Sequence, residues 1–402
     1  MTNATILRFD RSVARHRTSA AGYASAAEFA LAESPDDPVF CFSEDALRNQ
    51  ARVFQSGFPG EVAFAVKSNP SRQVIAGLHR AGIGVWDVAS IQEMELVAGI
   101  APEREFHYHN PVKSSSEIRT AYTRFGCRRF AVDCNEELNK IAGVIPIPAG
   151  IEIAVRFVLP RANGTSAHDF SSKFGVDVAA AASLLRRTSE LGFSPLLTFH
   201  PGSQCKEPRA YVRHIEAAGA IAAAAHVPLA AVNVGGGFPA RYATSRGAEL
   251  EEFFTPIDRA MAHTFGKQRP KLECEPGRAL SASSMSLLTR VKLVRNESNE
   301  IFLNDGVYGG LMEVWQAPEL QPPHRVIRQG NWVAATPRLV TVYGPTCDPL
   351  DKLPKKLAVP SDVREGDYIE FGSLGAYAAA TVTRFNGYGG HRIVPVSDVL
   401  NI

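Results

Sequence analysis

The chain has 402 residues, 45% of them hydrophobic and 21% charged, enough apolar surface for a large core divided between two domains. Its 43 basic and 41 acidic side chains leave a formal charge of +2, and without a Lys/Arg stripe this argues against a nucleic-acid partner. Six widely spaced cysteines (Cys41, Cys127, Cys134, Cys205, Cys274 and Cys347) form no CxxC pair, and no long apolar run opens the chain; reduced thiols, a cytoplasmic location and no membrane span are expected.

Residues 1–36 read as an N-terminal segment, in which "TILRF" can add a strand to a β domain and "SAAEFALAE" follows. From "PVFCFSEDALRNQARVF" onward, short β-rich runs alternate with helix-period stretches such as "DVAAAASLLRRTSELG" and "RHIEAAGAIAAAAH". Eight runs end in a polar or glycine residue: EVAFAV before Lys67, GIGVW before Asp87, EFHY before His109, RRFAV before Asp133, IEIAV before Arg156, PLLTF before His200, AAVNV before Gly235 and KLEC before Glu275. Over residues 37–280 this predicts a (β/α)8 barrel, an α/β fold whose chemistry gathers at the carboxyl ends of its strands. An open doubly wound sheet also alternates, but it concentrates functional residues at one switch point. The polar loop "LPRANGTSAHDFSS" before Lys173 reads equally as a lid or a solvent loop. Beyond about residue 280, segments such as "WVAATPRLVTVYGP" and "REGDYIEFGS" predict an all-β domain over 281–402.

"NVGGGFPARY" sets Gly235, Gly236 and Gly237 after the seventh strand, where bare backbone N–H groups can approach an anion, although a tight turn needs glycine too. "ECEPGRAL" puts Glu275 at the end of the eighth strand, with Gly277 and Arg278 able to add a backbone donor and a guanidinium for the same anion. A ligand with a phosphate, a basic ring nitrogen for Glu275 and a carbonyl for Lys67 accounts for all three features. Pyridoxal 5′-phosphate has those parts. In "TFHPGSQC", His200 is placed to stack on the ring and Ser203 to reach the phosphate. Singly, each residue has an ordinary explanation: Lys67 as a solvated strand end, Glu275 and Asp87 as partners of arginines, His200 as a core histidine, Cys347 as a small hydrophobe. His109, Asp133 and Cys205 read as structural or rim-lining. His107, His109 and Asn110 lack metal-ligand spacing with a fourth partner, so no metal is expected.

In order along the chain come "FAVKSNP", "WDVAS", "KFGV", "HPGSQC", "GGGFP", "ECEPGRAL", "NDGVYG", "YGPTCDPLD", "GAYAAA" and "FNGY". With these motifs the chain, from about Pro38 to Gly387, resembles the barrel-type pyridoxal-phosphate decarboxylases of ornithine, diaminopimelate and arginine, most closely the ornithine branch. The resemblance implies Lys67 as the lysine joined to the cofactor, His200 on the ring face and Glu275 on the pyridine nitrogen, with Asp87, Glu93 and Arg156 around them. It implies Ser203, Gly236, Gly237, Gly277, Arg278 and Tyr377 at the phosphate. Tyr308, Cys347 and Asp348 would meet the substrate, the last two entering from the other subunit of a homodimer. The implied reaction is decarboxylation of an ornithine- or lysine-like amino acid through an external aldimine and a quinonoid, with Cys347 returning a proton to Cα.

The chain departs from this pattern at one point. Its relatives grip the distal amine with two acids, and only Asp348 is plainly present; after Tyr308 comes "GGLMEVWQAPEL", with Glu313 a few positions early. An unusual or carrier-bound amino acid is therefore the alternative substrate. Diaminopimelate decarboxylase, a racemase and a non-catalytic regulatory homologue fit less well: racemases lack "HPGSQC" and "GPTCD", and Lys67, Glu275 and Cys347 are retained.

Overall fold

The structure is a computed structural model that describes residues 22–160, 173–243 and 249–401. Eight parallel strands close into a barrel: β1 (Glu61–Ala65), β2 (Val85–Val88), β3 (Glu105–Tyr108), β4 (Arg129–Val132), β5 (Glu152–Arg156), β6 (Ser194–Thr198), β7 (Ala231–Asn233) and β8 (Lys271–Cys274), with β8 pairing back onto β1. Each coincides with one of the eight runs read from the sequence.

Alternation along these strands decides what the barrel encloses. Outward residues such as Phe64, Trp86, Tyr108 and Phe130 are buried against the surrounding helices, with Leu78, Met94 and Ile118 in the same core. Inward residues make a small central plug of Ala131, Ala154, Leu196 and Ala231. Because the plug is made of small side chains, longer polar groups occupy the space above and below it. The helices start where local chemistry satisfies their free N–H groups: Ser114 and Glu117 form a reciprocal capping box, and Ser90 caps the helix Ile91–Ala98.

The second unit is a ten-stranded sheet built on Met285–Arg295, which pairs with Glu300–Leu303 and Tyr368–Phe371. It also takes in Val39–Phe42, which pairs antiparallel with Met285–Arg295 and parallel with Arg392–Asp398. The sequence places "PVFCF" at the opening of the barrel unit, but the chain starts in the sheet, leaves to build the barrel and returns. The physical reason is double-sided burial. Phe40 and Phe42 face the barrel-side core, whereas Val39 and Cys41 join a separate cluster with Phe29 and Leu288. The segment "TILRF" and the loop 161–172 lie outside the described residues. All six cysteines are free thiols, and among the described residues no helix is long and apolar enough to cross a membrane.

Hydrogen bonds fasten the sheet unit to the barrel rim beside Lys67. Tyr377 N–H donates to Ser68 O at 2.7 Å, and Asn69 Nδ2 donates to Gly375 O at 2.7 Å. The ring of Phe42, only 4% exposed, reaches Gly77 of the barrel helix Arg72–Arg80 from a strand of the sheet and so lies in the seam between the two units. Replacing Phe42 by Ala is expected to cost about 3–5 kcal/mol, measured as a lower urea midpoint at unchanged slope; a loss under about 1 kcal/mol would show that the seam does not depend on it.

Candidate active site

Lys67 sits in a single 3-10 turn, Val66–Ser68, that closes β1. Ser68 Oγ donates to Ala65 O at 2.9 Å and Asn69 N–H to Val66 O at 3.0 Å, which turns the lysine into the barrel mouth. Its side chain is 49% exposed, and Nζ lies 2.7 Å from Oδ2 of Asp87, whose side chain is 4% exposed. Burial alone would strip the ammonium of its proton, but the Asp87 carboxylate more than offsets this, with smaller help from Tyr377 and Glu275, and raises its pKa. Glu93 completes this corner: its carboxylate accepts the Ala89 N–H at 2.7 Å, and burial pushes its pKa up against the pull of nearby Lys67. At the end of β5, burial presses on the charge of Arg156, while Glu275, Asp87 and Asp133 support it.

The glycines after β7 are there because nothing larger fits. A Cβ on Gly236 would stand 2.8 Å from Glu275 O and 3.3 Å from His200 Nε2. One on Gly237, at φ +92°, would stand 2.4 Å from Gly202 O. Tyr211 Oη anchors this bare loop by donating to Gly236 O at 2.8 Å. Across the mouth, Gly277 packs on Ser68 of the lysine turn, where a Cβ would come within 2.8 Å of Ser68 Cβ. Ser203, Arg278 and Tyr377 converge on the same corner. Arg278 Nε donates to Ser203 Oγ at 3.2 Å, Nη1 to Tyr242 Oη at 2.9 Å and Nη2 to Glu313, and its guanidinium lies 4.9 Å from the Tyr377 ring centre. Arg278 thus donates to Ser203, Tyr242 and Glu313 and rests its guanidinium by the Tyr377 ring. Glu313 is committed to this buried pair, which removes it as a second acid for a distal amine.

Glu275, at the top of β8, is 7% exposed. Asn233 Nδ2 donates to its Oε1 at 2.8 Å, and the same oxygen lies 2.5 Å from His109 Nδ1 and 3.5 Å from His107 Nδ1. Burial opposes the charge, yet the two imidazoles hold the carboxyl well below its usual range. Of the two sequence readings of His109, structural or rim-lining, the geometry agrees with the structural one: the side chain reaches Glu275. His107, His109 and Glu275 also have the composition of a metal triad, but ligands around one zinc ion stand roughly 3 Å or more apart, and a 2.5 Å contact is that of two groups paired with each other.

His200 ends β6 with its Nδ1 accepting the Gly202 N–H at 3.0 Å. Burial, together with the charges of Arg156 and Lys67, pushes its pKa down to about 3, so it presents a neutral imidazole face to the mouth. A second cluster forms elsewhere on the chain. Tyr308 Oη donates to Asp348 Oδ2 at 2.6 Å, and Cys347 Sγ lies 3.3 Å from Asn386 Oδ1. Buried Asp351 shapes this loop by accepting N–H groups from Val307 and Thr346 at 2.9 and 3.0 Å. Among the described residues, no hydrogen bond or ion pair joins this cluster to Lys67, Asp87 or Glu275 of the same chain.

Asn233, Tyr242 and Asn386 escaped the sequence reading, and His107 and Glu313 were weighed there without the partners seen here. For His107 the signal was present, because "EFHYH" places Glu105, His107 and His109 at alternate positions on one strand. The mouth offers a half-exposed amine, a carboxylate whose contacts leave Oε2 open, a neutral imidazole, and a bare glycine loop beside a serine and a tyrosine. These are the groups pyridoxal phosphate needs for its carbonyl, ring nitrogen, ring face and phosphate, and they fit it.

His107 is buried, which works against its charge, but Glu105 and Glu275 more than offset this and raise its pKa to about 9, from 6.5. A raised histidine pKa contributes stability that is complete below the unfolded value and lost as pH rises through the folded one. The difference in thermal midpoint between the wild type and His107→Asn should therefore be largest below pH 6.5 and close as the pH passes about 9. For Gly237→Ala, titration of cofactor absorbance should show affinity weakened by roughly tenfold or more, in keeping with a strained, crowded backbone position.

Comparison with known proteins agrees with this geometry. Residues 44–282, more than half of the chain, match the family model of the pyridoxal-dependent decarboxylase, pyridoxal binding domain. The lysine/ornithine decarboxylase of Selenomonas ruminantium is 28% identical over 367 residues, covering 89% of each chain. The crystal structure of lysine/ornithine decarboxylase from Vibrio vulnificus, complexed with putrescine, is 26% identical with a TM-score of 0.78, covering 92% of this chain and 98% of that one. The arginine decarboxylase of Paramecium bursaria Chlorella virus shares the fold, with a TM-score of 0.82 at 24% identity over 92% of this chain and 98% of that one. A barrel with this mouth, matched over its length by that model, belongs to the family of pyridoxal-dependent amino acid decarboxylases, carboxy-lyases that use pyridoxal phosphate.

Proposed function

We propose that the enzyme removes the α-carboxylate of a basic L-amino acid of the ornithine or lysine kind, in a homodimer whose two sites each draw on both chains. The observation that carries the substrate class is Asp348, held below the usual carboxylate range by the Tyr308 hydroxyl and the Leu350 N–H. A carboxylate so fixed beside Cys347 suits a distal ammonium group. The names of the similar proteins, lysine/ornithine decarboxylases, point the same way.

When bound, pyridoxal phosphate supplies an electron sink for the pair released as CO₂ departs. The residues of this chain do the rest. Lys67 would hold the cofactor through its Nζ, and Asp87, 2.7 Å from that atom, would balance the charge of the amine whenever it is free. Glu275 keeps a proton on the ring nitrogen, and His200 covers the ring without competing for that proton. The glycine loop with Ser203, Gly277, Arg278 and Tyr377 seats the phosphate. Cys347 gives a proton to Cα after the carboxylate leaves.

The dimer reading is supported by the lack, among the described residues, of any hydrogen bond or ion pair joining Cys347 or Asp348 to Lys67 of the same chain. Nearby exposed apolar residues, Leu350 at 62% and Phe385 at 42%, suit burial against a second copy. The second reading, a carrier-bound amino acid, is favoured by one observation, the commitment of Glu313 to Arg278. It leaves Asp348 to hold the distal amine without that partner.

Assays of CO₂ release from ornithine, lysine, arginine, diaminopimelate and a neutral amino acid test the substrate class; turnover confined to the neutral one would reject it. Asp348→Ala should lower kcat/KM roughly ten- to a hundredfold, for a diamino acid alone. For the shared sites, Lys67→Ala and Cys347→Ala should each be nearly inactive. Their mixture should recover roughly a quarter of wild-type activity, because half of randomly paired dimers contain one intact site. No recovery on subunit exchange would place Cys347 outside the partner's site.

A further inference from the structure

The two oxygens of Glu275 are not equivalent. Every described contact falls on Oε1: Asn233 at 2.8 Å, His109 at 2.5 Å and His107 at 3.5 Å. Oε2 is the oxygen left to face a ring nitrogen. Behind Oε1 the two imidazoles stack with centroids 5.2 Å apart and planes at 29°, their side chains 0% and 5% exposed. The Nε2 atom of each, and Nδ1 of His109, are buried without a hydrogen-bond partner, so what joins His109 to Glu275 is a charge contact. Both come from β3, on which Glu105 stands one step further down, 3.4 Å from His107 Nε2 and itself 55% exposed. The column therefore runs from the carboxylate at the catalytic mouth to solvent at the opposite end of the barrel.

Anchoring the carboxylate does not require this. Asn233 already supplies a donor to Oε1, and apolar neighbours would escape the cost of burying two imidazoles. What the imidazoles add is a dissociable positive charge. The other charged groups facing the pair are Arg129 from β4, Glu61 from β1 and Glu273 from β8. Arg129 is fixed between Glu152 and Glu273, at 2.5 Å from each, and its Nη1 also lies 3.5 Å from His107 Nδ1, a positive neighbour that works against charge on His107; Glu105 and Glu275 are the carboxylates that bracket the pair.

We infer that His107 and His109 form a counter-charge to Glu275 that gives way to the protonated ring nitrogen, so that seating the cofactor expels one proton from the imidazole pair. The inference rests on Glu275 facing that nitrogen. The balance involves protons alone: one imidazolium N–H bond breaks, its proton leaves by way of Glu105 to water, and the N–H⁺ of the ring takes its place as the cation beside Glu275. No electrons are exchanged. Both histidines are positioning residues that act through Glu275. The raised pKa of His107, about 9, agrees with that proton resting on His107 until a competing cation arrives.

The test uses apoenzyme of the full chain, with pyridoxal phosphate as the probe. Its affinity is measured between pH 7 and 9 for the wild type, for the double variant His107→Asn/His109→Asn and for Glu275→Gln, alongside nitrogen NMR of labelled histidines in the wild type. Other titrations are common to wild type and double variant and cancel in their ratio. That ratio should shift in favour of the wild type by up to about tenfold per pH unit, the slope for one released proton, and the histidine signal that carries this proton should pass from charged to neutral on binding. A ratio flat with pH, together with histidine signals that the cofactor leaves unmoved, overturns the inference; if the double variant does not fold, the histidine signals of the wild type decide alone. Should Glu275→Gln bind the cofactor as tightly as the wild type and with the same visible band, the facing of Glu275 to the ring nitrogen is what has failed.

Discussion

The ion pair between Lys67 and Asp87, 2.7 Å apart at the lip of the barrel, is the constraint on which the rest of the structure depends. An ammonium beside a buried wall costs free energy unless a partner is fixed there in advance. Asp87 is fixed by the alternation of β2, which sends Trp86 and Val88 outward into the core and the carboxylate inward. Once that amine is tolerated, the other inward strand ends can gather around it: Arg156 from β5, His200 from β6, Asn233 from β7 and Glu275 from β8. The charges are mutually dependent. Lys67 and Arg156 keep His200 neutral, while Glu275 and Asp87 support Arg156.

The sheet unit is part of the same construction. Tyr377, held at φ +60°, a conformation non-glycine residues seldom adopt, hydrogen-bonds to the turn that carries Lys67 and lays its ring by Arg278. Arg278 in turn joins Ser203 of the barrel to Glu313 of the second unit. The corner proposed for the phosphate therefore exists only when both units are folded and docked, which explains why Phe40 and Phe42 commit one strand to both.

Much of this was legible in the sequence. The eight barrel strands could be read because each ends abruptly in a polar residue or glycine, and such punctuation survives without knowledge of the tertiary structure. Lys67, Glu275 and the glycines were legible for the same reason, since their positions are fixed by local strand ends. The placement of Val39–Phe42 was not: a short, wholly apolar run followed by a helix looks the same whether it opens a barrel or crosses a sheet. Nor was the pairing of Arg278 with Glu313, which depends on the docking of two units. The partner of His109 was not legible either, because Glu275 lies on a distant stretch of chain that only barrel closure brings within reach.

The central claim, that Lys67 carries the cofactor, is tested most directly by reducing the purified enzyme with borohydride and mapping the modified peptide by mass spectrometry. The account predicts a pyridoxyl group on Lys67 and on no other lysine. A label on another lysine, such as buried Lys113, or none after incubation with pyridoxal phosphate, would contradict it.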